Sequence, residues 1–149
     1  SITVMIQREV ALRICAAPGT ADYGAFSVFC QYHTQPELLF DVGPECFLPA
    51  PKVTSAVLRL VPRREPPQTL VDEALFFRVV RASFAQRRKT LLNGLSSAFG
   101  AQVGKQALRQ AIERSGTPGS EPAGRVAFWF FSHKSPLFCK TRRKDLQIL

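Results

Sequence analysis

The four cysteines, at positions 15, 30, 46 and 139, form no C-x-x-C pair, and the two histidines, His33 and His133, stand far apart. Zinc-ligand spacing is therefore missing, and no metal is expected. Cys15, Cys30 and Cys46 fall in apolar or helical stretches and read as small, reduced core residues. No run of 18 apolar residues occurs, and no charged segment precedes an apolar stretch at the N-terminus. These absences predict neither a membrane-spanning helix nor an export signal, and a reducing cytoplasm is the simplest compartment. There is no G-x-G-x-x-G or Walker loop, no nucleophile with a base at a telling distance, and no internal repeat. Asp41 and Glu45 are lone carboxylates on turns, the setting of solvated acids rather than of an acid–base pair. Acidic residues are themselves scarce, 11 against 20 Lys and Arg, which gives a net charge of +9. Such an excess points to a polyanionic partner, nucleic acid before membrane, because neutralising phosphates supplies sequence-independent affinity. A basic protein with no such partner is the alternative.

What is present is ordinary in bulk. The 46% hydrophobic and 21% charged content of 149 residues suits a globular chain with one core, or one and a half small domains. Thr3 to Ile6 reads as the end of a buried strand. Gln7 to Ala17 carries Val10, Ala11, Ile14 and Cys15 at helical spacing, and Pro18-Gly19 ends it. Tyr23 to His33 carries helix-spaced bulk at Phe26, Phe29 and Cys30, and its small Gly24, Ala25 and Ser27 would let it pack closely. Glu37 to Val42 and Ser55 to Arg63 read as strands able to pair antiparallel. The polar stretch 63–69, with Pro66-Pro67, is the best domain boundary, and beyond it the apolar period changes from two to 3.6. Thr69 to Asp72 resembles a capping box, followed by a stripe of Phe76, Val80 and Phe84 beside Phe77. Gly94 predicts a kink or two shorter helices, Gly100 a stop, and Val103 to Arg114 a further helix. From Ser115 the composition turns to linker, then to the aromatic run Val126 to Phe131 and a basic end.

Two stretches carry candidate sites. In Phe47-Leu-Pro-Ala-Pro-Lys-Val53, Pro49 and Pro51 bias Leu48 and Ala50 away from the helical region, predicting a stiff extended loop. Phe47 at its mouth is either a core plug or a platform for a flat ligand. Arg87, Arg88 and Lys89 are three consecutive cations. On a helix they would span about 200°, so at most two share a direction. The apolar stripe leaves at least Arg88 or Lys89 outward, either as a solvated face or as a phosphate contact.

FLPAPKVTSAV resembles the F-x-P-x-P-K-V-x-S-A-V signature of the ribosomal RNA adenine N6,N6-dimethyltransferase family. VMIQREVALRI with PGTADYGAFSVFCQY, and FFRVVRASFAQRRKTLLNGL, match the same family in the same order, and together the three span about residues 3 to 100. The resemblance implies an α/β fold: residues 1–63 as the C-terminal part of a Rossmann-like S-adenosylmethionine-dependent methyltransferase domain, 64–114 as a small all-α RNA-binding domain, and 115–149 as a linker and atypical tail. It implies methyl transfer to N6 of two adjacent adenines of small-subunit ribosomal RNA. Phe47 would pack on the flipped-out adenine, braced by Pro49 and Pro51, and Lys52, Arg87, Arg88 and Lys89 would touch RNA. The expected partner is the immature small ribosomal subunit, bound by a monomer.

The family's glycine-rich cofactor loop, acidic ribose-binding residue and Asn-Leu-Pro-Tyr motif have no counterpart in this sequence. The chain is therefore expected to be roughly the C-terminal half of the enzyme, with no cofactor-binding residue and no measurable affinity for S-adenosylmethionine alone. From Arg125 the sequence departs from the family, either as a genuine extension or as a shifted reading frame. Phe128 to Phe131 read as a hydrophobic plug or as a stacking platform. Other readings are the large-subunit methyltransferase of macrolide resistance, a mitochondrial transcription-factor relative, and a non-catalytic RNA-binding module on residues 64–114; SFAQRRKTLLNGL fits the small-subunit group better.

Overall fold

The computed structural model describes residues 1–67, 70, 72–86, 88–117 and 119–120. The chain divides into two compact units, Ser1–Pro67 and Gln68–Leu149. The expectations for Thr69 and for the tail from Glu121 lie outside the described residues.

In the first unit, Ile2–Gln7 forms β1 and runs directly into α1, Arg8–Cys15; Ala25–His33 forms α2, Thr34–Val42 forms β2 and Ser55–Pro62 forms β3. The sheet order is β1-β3-β2, and β3 is antiparallel to both neighbours, so β1 and β2 run parallel. Val4 opposite Leu58 and Ile6 opposite Ala56 set one face, with Leu38 opposite Leu58 from the other side. Ala56 and Leu58 are fully buried on this face, against which the helix pair packs through Ala11, Ile14, Val28 and Tyr32. A register shift between Leu38 and Phe40 inserts Leu39 and turns Phe40 to the opposite face, beside Val57 and Met5. There Met5 and Phe40 are 53% and 58% exposed. The buried strand expected at Thr3 to Ile6 is thus only half covered, since one of its two faces carries no helix of this unit.

The helix pair is held by polar contacts as well as apolar ones. The Gln31 side-chain amide donates to the Ile14 and Ala16 carbonyls at 2.9 and 2.8 Å, meeting acceptors that the end of α1 leaves unpaired. Ser27 accepts from the Gly24 N–H at 3.0 Å and donates to the Arg13 carbonyl at 2.5 Å. These bonds turn the Ser27–Val28 side of α2 inward. The helix-spaced Phe26 and Phe29 are about half exposed at 51% and 48%, and it is the small Ser27 that is buried.

In the second unit the described elements are three helices: α3 (Glu73–Ala85), α4 (Leu91–Val103) and α5 (Lys105–Arg114). Asp72, the last residue of the expected box, is itself the cap of α3, accepting from the Leu75 N–H at 2.8 Å. Phe76, Phe77, Val79 and Val80 are buried with Leu91, Leu95, Phe99, Leu108 and Ile112, which makes a single interhelical core. The break between α3 and α4 falls at residues 86–90, not at Gly94. Thr90 caps α4 by accepting from the Asn93 N–H. Gly94 lies buried in unbroken helix, and a Cβ there would sit 3.2 Å from the Ala82 carbonyl oxygen. It is a close-approach residue: the lack of a side chain lets α4 lie against the end of α3. Gly100 does not stop α4 either. Gly104, at φ +79°, does, and α5 starts at the next residue.

Candidate nucleic-acid interface

Because β1 and β2 are parallel, their C-terminal ends share one rim, and Gln7 and Val42 both pair with Ser55. In open α/β sheets, ligands collect outside that rim. The loop from Gly43 to Thr54 rises there. A single 3-10 turn, Pro44–Cys46, leads into Phe47, whose N–H donates to the Pro44 carbonyl at 3.2 Å and whose backbone is extended at φ −124°, ψ 150°. The Leu48–Pro49 peptide is cis. Leu48 is wholly exposed, Pro49, Ala50 and Lys52 are exposed, and Pro51 and Phe47 are half-buried. Phe47 is therefore partly covered, at the foot of a loop whose next three residues are exposed.

The foot of this loop is clamped. The Arg8 N–H donates to the Thr54 carbonyl at 3.0 Å, and Arg8 Nε donates to Asp41 Oδ2 at 2.7 Å. Both side chains are nearly half exposed, so the pair contributes at most about 1 kcal/mol, but it ties the starts of α1 and β3 to the end of β2. Asp41 is an ion-pair partner here, not the solvated lone acid of the sequence reading. Its link to Arg8 spans 33 residues, and no local pattern announces it.

The second set of candidates lies between α3 and α4. Arg88 and Lys89 are exposed in the turn, where the Lys89 N–H donates to the Gln86 carbonyl at 2.8 Å; Arg87 lies outside the described residues. These cations are not on a helix, so the limit set by helical rotation does not apply to them. The physical reason is the Thr90 cap, which begins a new helix one residue after Lys89. A cleft of about 510 Å³ opens beside this turn, lined by Thr90, Leu92, Asn93, Lys105, Arg109, Ile112, Glu113, Gly119 and Ser120. The sequence reading missed it; the only trace was the i, i+4 spacing of Lys105 and Arg109 on the polar side of α5.

Burial raises the pKa of the Cys15 and Cys30 thiols, and it raises that of the Tyr23 phenol further still. Groups shifted this way stay protonated and make poor nucleophiles at neutral pH. Among the described residues, no cluster of His, Cys, Asp and Glu could hold a metal, and no helix is long and apolar enough to cross a membrane. The β1–α1 turn at the rim carries Gln7 and Arg8 with no glycine, so it offers no close backbone approach to a nucleotide cofactor.

A three-stranded mixed sheet with two helices on one face makes the first unit an α/β structure. Two solved structures share this fold. A dimethyladenosine transferase from Plasmodium falciparum superposes with a TM-score of 0.64 at 19% identity, over 87% of this chain and 53% of that one. The 23S rRNA methyltransferase ErmE superposes at 0.50 with 24% identity, over 86% and 51%. The sequence is more specific: the ribosomal RNA adenine dimethylase profile matches residues 1–123, and the chain belongs to that family. The ribosomal RNA small subunit methyltransferase A of Geobacillus sp. strain WCH70 is 51% identical over 113 residues, 76% of this chain and 38% of that protein. The protein of the same name from Shouchella clausii is 40% identical over 144 residues, 97% and 49%. The chain thus spans well under two thirds of the length of the relatives it matches.

Proposed function

We propose that this chain is the base-stacking and RNA-docking part of an S-adenosylmethionine-dependent enzyme that dimethylates N6 of two adjacent adenines in small-subunit ribosomal RNA. The observation that carries the reading is the Phe47 loop, clamped at the ligand rim with its ring half-buried. An adenine must leave its stack before its amine can react, and an aromatic platform returns roughly 1 to 3 kcal/mol of the stacking lost. Phe47 supplies that platform, and Pro49 and Pro51 restrict the loop that presents it. Lys52, Arg88 and Lys89, with Arg87, neutralise backbone phosphates and fix the register of the RNA without reading its sequence.

The methyl donor supplies an electrophilic methyl group. The described residues do not fit it, because the turn at the rim from a strand into its following helix, β1 to α1, has no glycine, and we assign its binding to residues of the longer protein outside this chain. Residues 1–63 act as part of the Rossmann-like domain and 64–114 as a helical RNA-binding domain, with 115–149 as a tail. The partner is the immature small ribosomal subunit, met by a monomer in the cytoplasm. Relatives named for the small subunit at 51% identity favour this substrate over large-subunit RNA.

The test uses the longer protein that contains this chain, S-adenosylmethionine, and small subunits lacking the modification. Nuclease digestion and mass spectrometry should find N6,N6-dimethyladenosine. Product on large-subunit RNA alone would favour the macrolide-resistance type, and product on neither would leave a non-catalytic RNA-binding module. Calorimetric titration of the isolated chain should show no saturable S-adenosylmethionine site; a stoichiometric one would overturn the assignment of the cofactor elsewhere.

A further inference from the structure

The cleft of the second unit is built from residues to which neither the sequence motifs nor the Phe47 loop gave a role. We infer that it seats the phosphate backbone of an RNA strand, extending the basic turn at Arg88 and Lys89 into a continuous track. The inference rests on the RNA-docking reading above.

Lys105 and Arg109 lie one turn apart on α5, so their side chains leave from neighbouring points of one helix face. Both are exposed, both line the cleft, and among the described residues neither takes part in an ion pair. The cleft is also lined by Thr90, the residue after Lys89, so the turn that carries Arg88 and Lys89 leads by chain directly to the opening that Lys105 and Arg109 line. Leu92 and Ile112 give it apolar lining against which a sugar or base can rest, and Thr90 and Asn93 add hydrogen-bonding groups. A volume near 510 Å³ is larger than one phosphate needs and lies within the range of small-ligand sites, so it has room for a nucleotide with its phosphate. Glu113, the one acid among the lining residues, sits one further turn along α5 and repels a strand at that end. The track therefore runs from the turn past Arg109 and Lys105 and stays clear of Glu113. With a net charge of +9 on the chain and two unpaired cations in the opening, a polyanionic strand is favoured over a protein partner.

The experiment measures binding of the full chain to a fluorescein-labelled single-stranded RNA by anisotropy across a salt series. Each lost phosphate contact lowers the magnitude of the log K against log salt slope by roughly 0.7 to 0.9, so K105Q/R109Q should flatten it by about 1.4 to 1.8. The loss should be equal for unrelated RNA sequences, as backbone contacts require. Glu113→Gln should tighten binding by removing the opposing charge. R64Q/R81Q, which removes two exposed cations elsewhere, should change the slope less. Circular dichroism checks that each variant folds, and K105R/R109K, which keeps the charge, should retain the wild-type slope. The inference is overturned if K105Q/R109Q keeps the wild-type slope, if the control loses as much, or if Glu113→Gln fails to tighten binding. A wild-type chain that binds no RNA at all would overturn the RNA-docking reading itself. Loss on R88Q/K89Q with none on K105Q/R109Q would overturn the cleft alone.

Discussion

Phe47 shows how much a single residue owes to its setting. A phenylalanine between strands is usually core; this one is only partly buried, between a 3-10 turn before it and the prolines after it. On the proposed function, Phe47→Ala in the longer protein should slow methyl transfer roughly ten- to hundred-fold, in keeping with a stacking contribution of about 1 to 3 kcal/mol. RNA affinity should change little, because docking is spread over many phosphates, and Phe47→Trp or Phe47→Tyr should keep much of the rate. Single-turnover rates and anisotropy on the same variants check this; a wild-type rate for Phe47→Ala would return the residue to a packing role. Gly94 is the complementary case, a residue defined by what it lacks. Gly94→Ala gains about 1 kcal/mol of helix propensity but drives a methyl toward the Ala82 backbone carbonyl, which cannot swing away as a flexible side chain can. Overpacking costs of about 1 to 3 kcal/mol should win, giving a lower urea midpoint at unchanged slope. The proline loop was legible in the sequence because proline acts on its immediate neighbours. The Arg8–Asp41 clamp was not, because it exists only once β1 and β2 are parallel in one sheet.

Among the elements, helices were read well where a 3.6-residue apolar period ran unbroken, and their ends were read badly. Gly94 and Gly100 were taken for breakers on propensity, yet burial against α3 outweighs the modest cost of glycine in a helix. The true break is made by a cap, Thr90, which offers the first N–H groups of α4 an acceptor. Asp72 does the same for α3, and Asp72→Ala should cost about 1 kcal/mol while Asp72→Asn costs little, as thermal unfolding of the two variants will show. The turn between these helices carries Arg88 and Lys89. Replacing both by Gln should flatten the salt slope of RNA binding by about 1.4 to 1.8 and weaken unrelated RNAs equally. On α2, the small Ser27 noted for close packing is buried, while the helix-spaced Phe26 and Phe29 are about half exposed. Hydrogen bonds of Ser27 and Gln31 to carbonyls of α1 and the residue after it fix the rotation of that helix, and apolar spacing carries no trace of them.

For the whole molecule, the sum of buried acids sets a pH limit. Cys15, Cys30 and Tyr23 all hold their protons more tightly in the folded chain than their ordinary values of 9.0 and 10.0, because burial opposes the charged form. Stability from these groups is therefore complete below those values and declines as pH rises past about 9 for the thiols and past about 10 for the phenol. Urea midpoints should fall across that window, and Tyr23→Phe should flatten the upper part of the decline; a midpoint rising with pH would contradict the assignment. The two units divide after Pro67, inside the polar stretch where the apolar period changes, whereas sheet order and register leave no mark in the sequence, since both depend on contacts across tens of residues. One feature of that sheet bears on how the protein behaves in a tube. Among the described residues β1 has a neighbour on one side only, and its sequence, Ile-Thr-Val-Met-Ile-Gln, carries no charge and no proline. A bare strand edge of that kind is a template for another copy of itself. Light scattering of the isolated chain should rise steeply with concentration, and Thr3→Lys, which puts a charge on that strand, should keep the solution clear.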